Sequence, residues 1–523
     1  MSVTILSSTI ALRHNNGHSH SHARSCTHTL SVALLSVFAA LAMSGCASFK
    51  GIGDGNKMAG PDDFATRQSI NNGSGNGGAW PGVDWITQFG DLQLTALIDE
   101  AMAGSPTLQQ AQARINAANA AAEGRGAALL PSINAQASFI RNRFSETSIY
   151  PPPYGGGWYN SKSALISLSY ELDLWGKNHA VLTQAVSQQK AAQASAQQAR
   201  LALASSVAAT YNQLAAEYAL QDILNRTVIQ RGTLQRITGN RVQSGLDTQV
   251  ERNQSIGSEA DARAQVAENA GQIVLTRQQL GALLGKGPDR GMEIARPQVA
   301  ILATPPLPDD LPLNLLGRRP DIVAARWEVE AAGSGIKAAR ARFYPDINLS
   351  ASIGFESLAN ANPFTAASRA ITLGPAISLP IFDAGALRAG LKGQVASYDL
   401  AVANYNQALN EAYADVAHQI AAIHSIDAQL PIRREALAAA QRGFSLAQER
   451  YRLGLTSQLV TVSAETMLLG QQQILLNLEV NRRNLQIGLF KALGGGFDAK
   501  SAGLDPAQDQ SQDSTPAQRS TVQ

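Results

Sequence analysis

Between Asp346 and Glu356 apolar and polar residues alternate. Ile347, Leu349, Ala351, Ile353 and Phe355 interleave with Asn348, Ser350, Ser352 and Gly354. Ile166, Leu168, Tyr170 and Leu172 alternate in the same way with Ser167, Ser169, Glu171 and Asp173. Such period-two runs predict strands with one apolar and one polar face, suited to a membrane barrel and equally to a half-buried soluble hairpin. The next pattern is different. From Lys177 to about Val242 no proline interrupts an Ala-rich mixture of apolar, Gln and Ser positions. This predicts a helix of about 65 residues, nearly 100 Å long at about 1.5 Å per residue. Its apolar stripe suits close helix packing with a wet far side, in a coiled coil or in a wall of helices.

These patterns occur twice. Pro106/Pro320, Pro131/Pro345, Asn134/Asn348 and Ser138/Ser352 match at one constant offset, and Gly176/Gly385, Arg241/Arg450, Gly245/Gly454, Leu246/Leu455 and Leu280/Leu489 match at another. The offset changes once, between about Phe139 and Ala164, so the chain is a duplicated unit far longer than a solenoid repeat. Each half predicts a moderate helix, two strands, a very long helix, a Gly-containing turn and a second long helix. Pro131 and Pro345 fall where the first helix must stop. Tyr150 to Tyr159, rich in Pro, Gly and aromatic residues, reads as an exposed loop near a membrane surface.

The domain boundaries follow: residues 1–45 an export signal, 46–85 a flexible tether, 86–285 the first repeat, 286–314 a Pro-rich linker in which a helix is not expected, 315–494 the second repeat, and 495–523 a disordered tail. The signal has Arg13 and Arg24, an apolar run from Leu30 to Met43, then Ser44-Gly45-Cys46, which makes Cys46 the expected lipidated N-terminus. A plain signal peptide cut near the same place is the alternative. Cys26 would be discarded, so no disulfide can form within the mature chain. The clustered His14, His18, His20, His22 and His28 belong to the removed part and do not point to a metal site.

A net charge of +2 favours neither nucleic acid nor an acidic partner. No nucleophile, metal or nucleotide constellation is present, so no enzyme activity and no cofactor are expected. After Met43 no run approaches the roughly 20 apolar residues of a membrane-spanning helix. A membrane crossing would therefore use strands, and strands in lipid must close. Two hairpins cannot close alone. Two copies would give a barrel of about eight strands filled by side chains, whereas three would give about twelve and room for a lumen.

Leu315-Leu316-Gly317-Arg318-Arg319-Pro320-Asp321-Ile322, Phe343-Tyr344-Pro345-Asp346-Ile347-Asn348-Leu349, Asp173-Leu174-Trp175-Gly176 and the segment ending at Cys46 together resemble the TolC-like outer-membrane efflux proteins, and within them the OprM/NodT-type lipoproteins. The resemblance implies a mainly α fold with a transmembrane β-barrel. Three copies of the duplicated helix, β-hairpin and helical-hairpin unit would form a 12-stranded barrel continued by a periplasmic α-helical barrel. It implies an outer-membrane exit duct for drugs or other small toxic compounds. The implied partners are a periplasmic adaptor and an inner-membrane pump of the resistance-nodulation-division type. The periplasmic tips, which in the family meet the adaptor, fall at Arg241, Gly245, Leu246 and Asp247 and at Arg450, Gly454, Leu455 and Thr456. Many relatives carry aspartates just past the second tip; here Val460 and Ser463 stand there, leaving Glu251 and Glu465 as the acidic candidates for a pore constriction. A duct for type I protein secretion and a lipid-anchored periplasmic coiled-coil scaffold without a pore are the rival readings.

Overall fold

The computed structural model describes residues 51–53, 55–70, 78–147, 149, 152–299, 311–358 and 361–505. The export signal, Cys46 and the histidine tract lie outside the described residues. The first half contains α1 (Leu92–Gly104), α2 (Pro106–Ala127), β1 (Ser132–Arg143), β2 (Trp158–Leu172), α3 (Lys177–Gln243) and α4 (Gln249–Leu283). After α5 (Pro288–Met292) and α6 (Leu311–Arg318), the order returns as α7 (Pro320–Ala341), β3 (Asp346–Leu358), β4 (Arg369–Ser378), α8 (Ala386–Arg452) and α9 (Gln458–Ala492). The duplication holds to the residue: α3 and α8 each have 67 residues, α4 and α9 each 35. At about 1.5 Å per residue the long helices reach about 100 Å. Gly176 and Gly385 take left-handed backbone where strand gives way to long helix, a geometry glycine adopts without penalty. Pro431 lies inside α8, where it forfeits one backbone hydrogen bond.

The four strands form one antiparallel sheet in the order β1-β2-β3-β4. Its register sorts the side chains by chemistry. Ala135, Ile166, Ile353 and Ile371 align across the strands, as do Ile133, Leu168, Ala351 and Leu373. The alternate rows are polar: Asn134, Ser167, Ser352 and Thr372, then Ser132, Ser169 and Ser350. Polar neighbours on that face bond to one another, Ser138 Oγ to Ser163 Oγ at 2.8 Å and Ser169 Oγ to Asn348 Oδ1 at 3.1 Å. The opposite face leaves Ile133, Phe139, Ile166, Ile353, Ile371 and Leu373 exposed. An apolar sheet face of this extent belongs in hydrocarbon. Trp158 and Tyr159, expected in the connecting loop, instead begin β2. There Tyr159 packs on Tyr154 with centroids 5.4 Å apart, and Arg141 lies over Trp158.

Two of the sequence motifs meet where the sheet joins the helices. Trp175 stacks on Tyr344 at 4.7 Å and donates to the Pro345 carbonyl at 2.9 Å, while Lys177 Nζ lies 2.6 Å from Glu171 and 3.0 Å from Asp346. The Arg-Arg-Pro-Asp motif forms a second clamp. Buried Arg319 is held by both oxygens of Asp321, at 3.1 and 2.6 Å, with Asp415 of α8 at 3.3 Å.

Three expectations need correction. The tether packs down as a strap: Gly55 and Asn56 donate backbone N–H groups to Asp399 Oδ1 at 3.1 and 3.0 Å, Ala59 N–H bonds Asn406 Oδ1 at 2.8 Å, and Phe64 lies against Tyr413. Directional bonds from α8 offset the entropy that its Gly-rich composition brings. Within the tail, residues 495–505 pack on the second repeat, where Ala499 N–H reaches the Gly317 carbonyl at 2.9 Å and Trp327 Nε1 the Leu504 carbonyl at 2.8 Å, and residues 506–523 lie outside the described residues. The linker does contain helix. Pro288 stands at the start of α5, where its missing N–H costs nothing, and α6 begins at Leu311. Arg290 and Arg296 then pin the linker to Glu100 at 2.9 Å and Asp222 at 2.6 Å.

The register carries a measurable prediction. Ile353→Arg, on the apolar face, should cost about 2 to 4 kcal/mol in folding into lipid vesicles, and Ser352→Arg on the polar face far less. Equal costs in vesicle-refolding titrations would remove this sheet from the membrane.

Candidate functional site

The far ends of the helical hairpins repeat one backbone device. In the first, Gly245 has φ +70°, its N–H bonds the Val242 carbonyl at 3.0 Å, and Leu246 N–H bonds the Arg241 carbonyl at 2.8 Å. In the second, Gly454 has φ +74°, with bonds to Tyr451 at 2.9 Å and from Leu455 to Arg450 at 2.8 Å. This paired pattern is the Schellman motif, which satisfies the last carbonyls of a helix and requires a left-handed residue. Leu246 and Leu455 consequently project outward and are exposed. Space around both glycines is open, so a side chain there is opposed by backbone strain rather than by a neighbour.

Side chains make the two tips unlike. In the first, the Arg241 guanidinium donates to both oxygens of Asp247 at 2.7 and 2.8 Å. That hydrogen-bonded cation holds the Asp247 carboxyl below its usual range. Thr248 caps α4 by accepting from Val250 N–H at 3.1 Å, and Glu251 returns to Thr248 N–H at 2.9 Å, completing a capping box. In the second, Thr456 and Ser457 replace Asp247 and Thr248, and Ser457 makes no side-chain cap. Arg452 pairs with Glu449 at 2.6 Å within its own helix instead. Tyr451, Leu453, Leu459 and Val460 are exposed, so this tip offers an apolar surface.

The constriction candidates have separate surroundings. Glu251 is engaged in the capping box, and the Thr248 side-chain hydrogen bond holds its carboxyl low. Val460 lines an apolar groove of about 570 Å³ along the second hairpin, with Ala436, Gly443 and Ala447 of α8 and Met467 of α9. Ser463 is exposed. Glu465 is half-buried, and burial pushes its carboxyl up while Arg226 of α3 pulls it down. The capping box could have been read from Thr248 and Glu251, three positions apart before a helical run. The Arg241–Asp247 pair carries no comparable signature.

Among the described residues no helix is long and apolar enough to cross a membrane, and no cluster of three or more His, Cys, Asp or Glu could hold a metal ion. The family model described as outer membrane efflux protein matches residues 97–286 and 311–495, the two repeats. The chain belongs to the outer membrane efflux protein family. It is an outer-membrane efflux channel with a periplasmic helical extension, not an enzyme. Among its relatives, the fusaric acid resistance protein FusA of Burkholderia cepacia is 37% identical over 374 residues, 69% of this chain and 68% of that protein. The multidrug resistance outer membrane protein MdtP of Escherichia coli is 30% identical over 465 residues, covering 87% and 94%. Among solved structures, the outer membrane protein VceC of Vibrio cholerae matches with a TM-score of 0.73 and 34% identity over 80% of this chain and all of that one. The outer-membrane channel OprN gives 0.75 and 25% over 84% and 99%.

The unlike tips predict unlike responses. Thr248→Ala should lower the local stability of the first tip by about 1 kcal/mol, the usual value of an N-cap. Hydrogen exchange would show it as faster exchange over residues 246–252 and unchanged exchange over 457–463.

Proposed function

We propose that three copies of the chain close a twelve-stranded barrel, that Cys46 is lipidated, and that the two tips dock a periplasmic adaptor. The adaptor would couple the channel to an inner-membrane pump of the resistance-nodulation-division type for export of small toxic compounds. The observation that carries this reading is the four-stranded sheet with an apolar outer face and β1 and β4 as edges. Unpaired edges in hydrocarbon cost several kcal/mol per polar group, and pairing β4 with β1 of the next copy satisfies them. A scaffold without a pore gives that apolar face no place. The helices support the same operation. α7 lies between α3 and α8 and is largely buried, whereas its counterpart α2 packs on α3 and buries only Ala122. The free flank of α2 fits α8 of a neighbouring copy.

The strap supports the anchor. Ile52 packs against the buried cluster of Ile336, Phe343 and Leu391, at the end of α7 and the start of α8 beside the sheet. The six residues from Cys46 span at most about 20 Å, which keeps an acylated Cys46 at the inner leaflet of the outer membrane. Relatives named for resistance to multiple drugs and to fusaric acid favour small-molecule efflux over protein secretion.

Heat-modifiable trimers carrying ion current in planar bilayers are expected, and a monomer without current would defeat the proposal. Cys46→Ser should abolish acyl labelling and leave trimers, since the barrel itself holds the membrane. For the tips, Gly454→Trp and Leu246→Asp are each expected to give normal outer-membrane trimers that fail to restore drug resistance and fail to crosslink to the adaptor. Full resistance, or loss of the protein from the membrane, would place the docking end elsewhere.

A further inference from the structure

The strap that packs on the second repeat leads towards the sheet. Asp399 holds Gly55 and Asn56, and three residues earlier Ile52 packs on the cluster of Ile336, Phe343 and Leu391, in the groove between the end of α7 and the start of α8. Cations stand on both banks of that groove. Lys337 and Arg340 are exposed on α7 beside Ile336, and Lys392 is exposed on α8, two turns before Asp399 and so on the stripe that carries the strap. None of these three side chains has an ionic or hydrogen-bonding partner among the described residues. The carboxylates of the region are engaged elsewhere. Asp399 holds the strap, Asp383 accepts from the Gly385 and Leu387 N–H groups at 2.9 and 2.6 Å, and Glu171 and Asp346 share Lys177.

The duplication shows that these charges accompany the strap. In the first repeat the counterparts of Lys337, Arg340 and Lys392 are Glu123, Gly126 and Thr183, and those of the strap's holders Asp399 and Asn406 are Lys190 and Gln197. Glu123 and Thr183 are as exposed as the residues they correspond to, so packing does not dictate the difference. The same end of the molecule carries an apolar rim. Between β4 and α8, Ile381 and Phe382 are 77% and 88% exposed, and Leu174 and Trp175 are exposed in the corresponding loop of the first repeat. Apolar side chains that stand free where a membrane sheet ends belong at the bilayer interface. Lys392 lies about 10 Å along α8 from Gly385 at about 1.5 Å per residue. Long basic side chains reach a headgroup layer from that depth.

We infer that Lys337, Arg340 and Lys392 form a binding site for an anionic phospholipid of the inner leaflet. Its phosphodiester lies over the groove beside Ile52, and its chains run along Ile381 and Phe382. The guanidinium offers a planar pair of donors to the phosphate and the two ammonium groups act as point charges. A lipid held in this way bridges α7 and α8 across the strap and clamps the strap against the wall. The inference rests on the anchored strap proposed above, which puts this groove on the outer side of the wall, and adds the lipid that the groove recognises.

The test applies native mass spectrometry to the full-length chain in detergent, with dioleoyl phosphatidylglycerol, dioleoyl phosphatidylcholine or inorganic phosphate added at equal concentration. Phosphatidylglycerol should be retained at least about tenfold more than phosphatidylcholine, given several cations at one headgroup. Lys337→Gln with Arg340→Gln and Lys392→Gln should bring that ratio to about one. Arg114→Gln with Arg125→Gln, exposed cations of α2 in the first repeat, should leave it unchanged. Equal retention of the two lipids by the native chain, or the same loss in both variants, would overturn the inference. Displacement of phosphatidylglycerol by an equal concentration of phosphate would reduce the groove to a site for free anions and overturn the lipid assignment. Acyl labelling of Cys46 in the same preparations separates this inference from the reading it rests on. A labelled chain without lipid preference sinks the site alone, and an unlabelled chain that keeps the preference sinks the anchor alone.

Discussion

Everything in this molecule follows from the demand of backbone hydrogen bonding in a medium without water. A strand in hydrocarbon must have its N–H and C=O groups paired on both sides. The described residues supply four strands in one sheet, and β1 and β4 are its two edges. The apolar face set by the register Ala135-Ile166-Ile353-Ile371 places the sheet in that medium, and the edges then fix how copies must be arranged. The long helices inherit the arrangement, since they continue from the strands through the left-handed turns at Gly176 and Gly385. Closure at the membrane by the copies proposed above would thereby fix the circumference of the periplasmic wall.

Duplication supplies two halves that are alike in backbone and unlike in side chains. The hairpin turns show it best, because the Schellman geometry at Gly245 and Gly454 agrees within a tenth of an ångström in its bonds. The side chains around them have diverged: Arg241–Asp247 and the Thr248–Glu251 box fasten the first turn, whereas Ser457 makes no side-chain cap at the second and Tyr451, Leu453, Leu459 and Val460 are exposed there. The backbones agree because α3 and α8 end in the same left-handed glycine cap, whose geometry few residues other than glycine adopt.

Much of the fold was legible in the sequence. The alternation at Ile347 to Phe355 reports strand and face directly, since strand periodicity is a local property. The uninterrupted run from Lys177 placed the end of α3 within a residue of Gln243, and the glycine turns were legible because a left-handed cap is chemically restrictive. What could not be read was contact at long range. The strap looked flexible by composition, yet its partners Asp399 and Asn406 lie more than three hundred positions away. Trp327 likewise gives no sign in the sequence that its indole will bond Leu504. At the tips, the spacing of Thr248 and Glu251 signals a capping box, whereas the groove beside Val460 exists only once two helices lie side by side.

The ordered C-terminal segment has a consequence for biogenesis. Phe490 stacks on Trp85 at 5.1 Å, and the Gly494–Leu504 segment then covers α6 and Trp327. The aromatic centre of the waist is thus assembled from residues at opposite ends of the polypeptide. A chain threaded outward from its N-terminus exposes Trp85 early and receives its partner last. The packing around Trp85 in a newly made chain is therefore completed only when the residues of α9 have joined it.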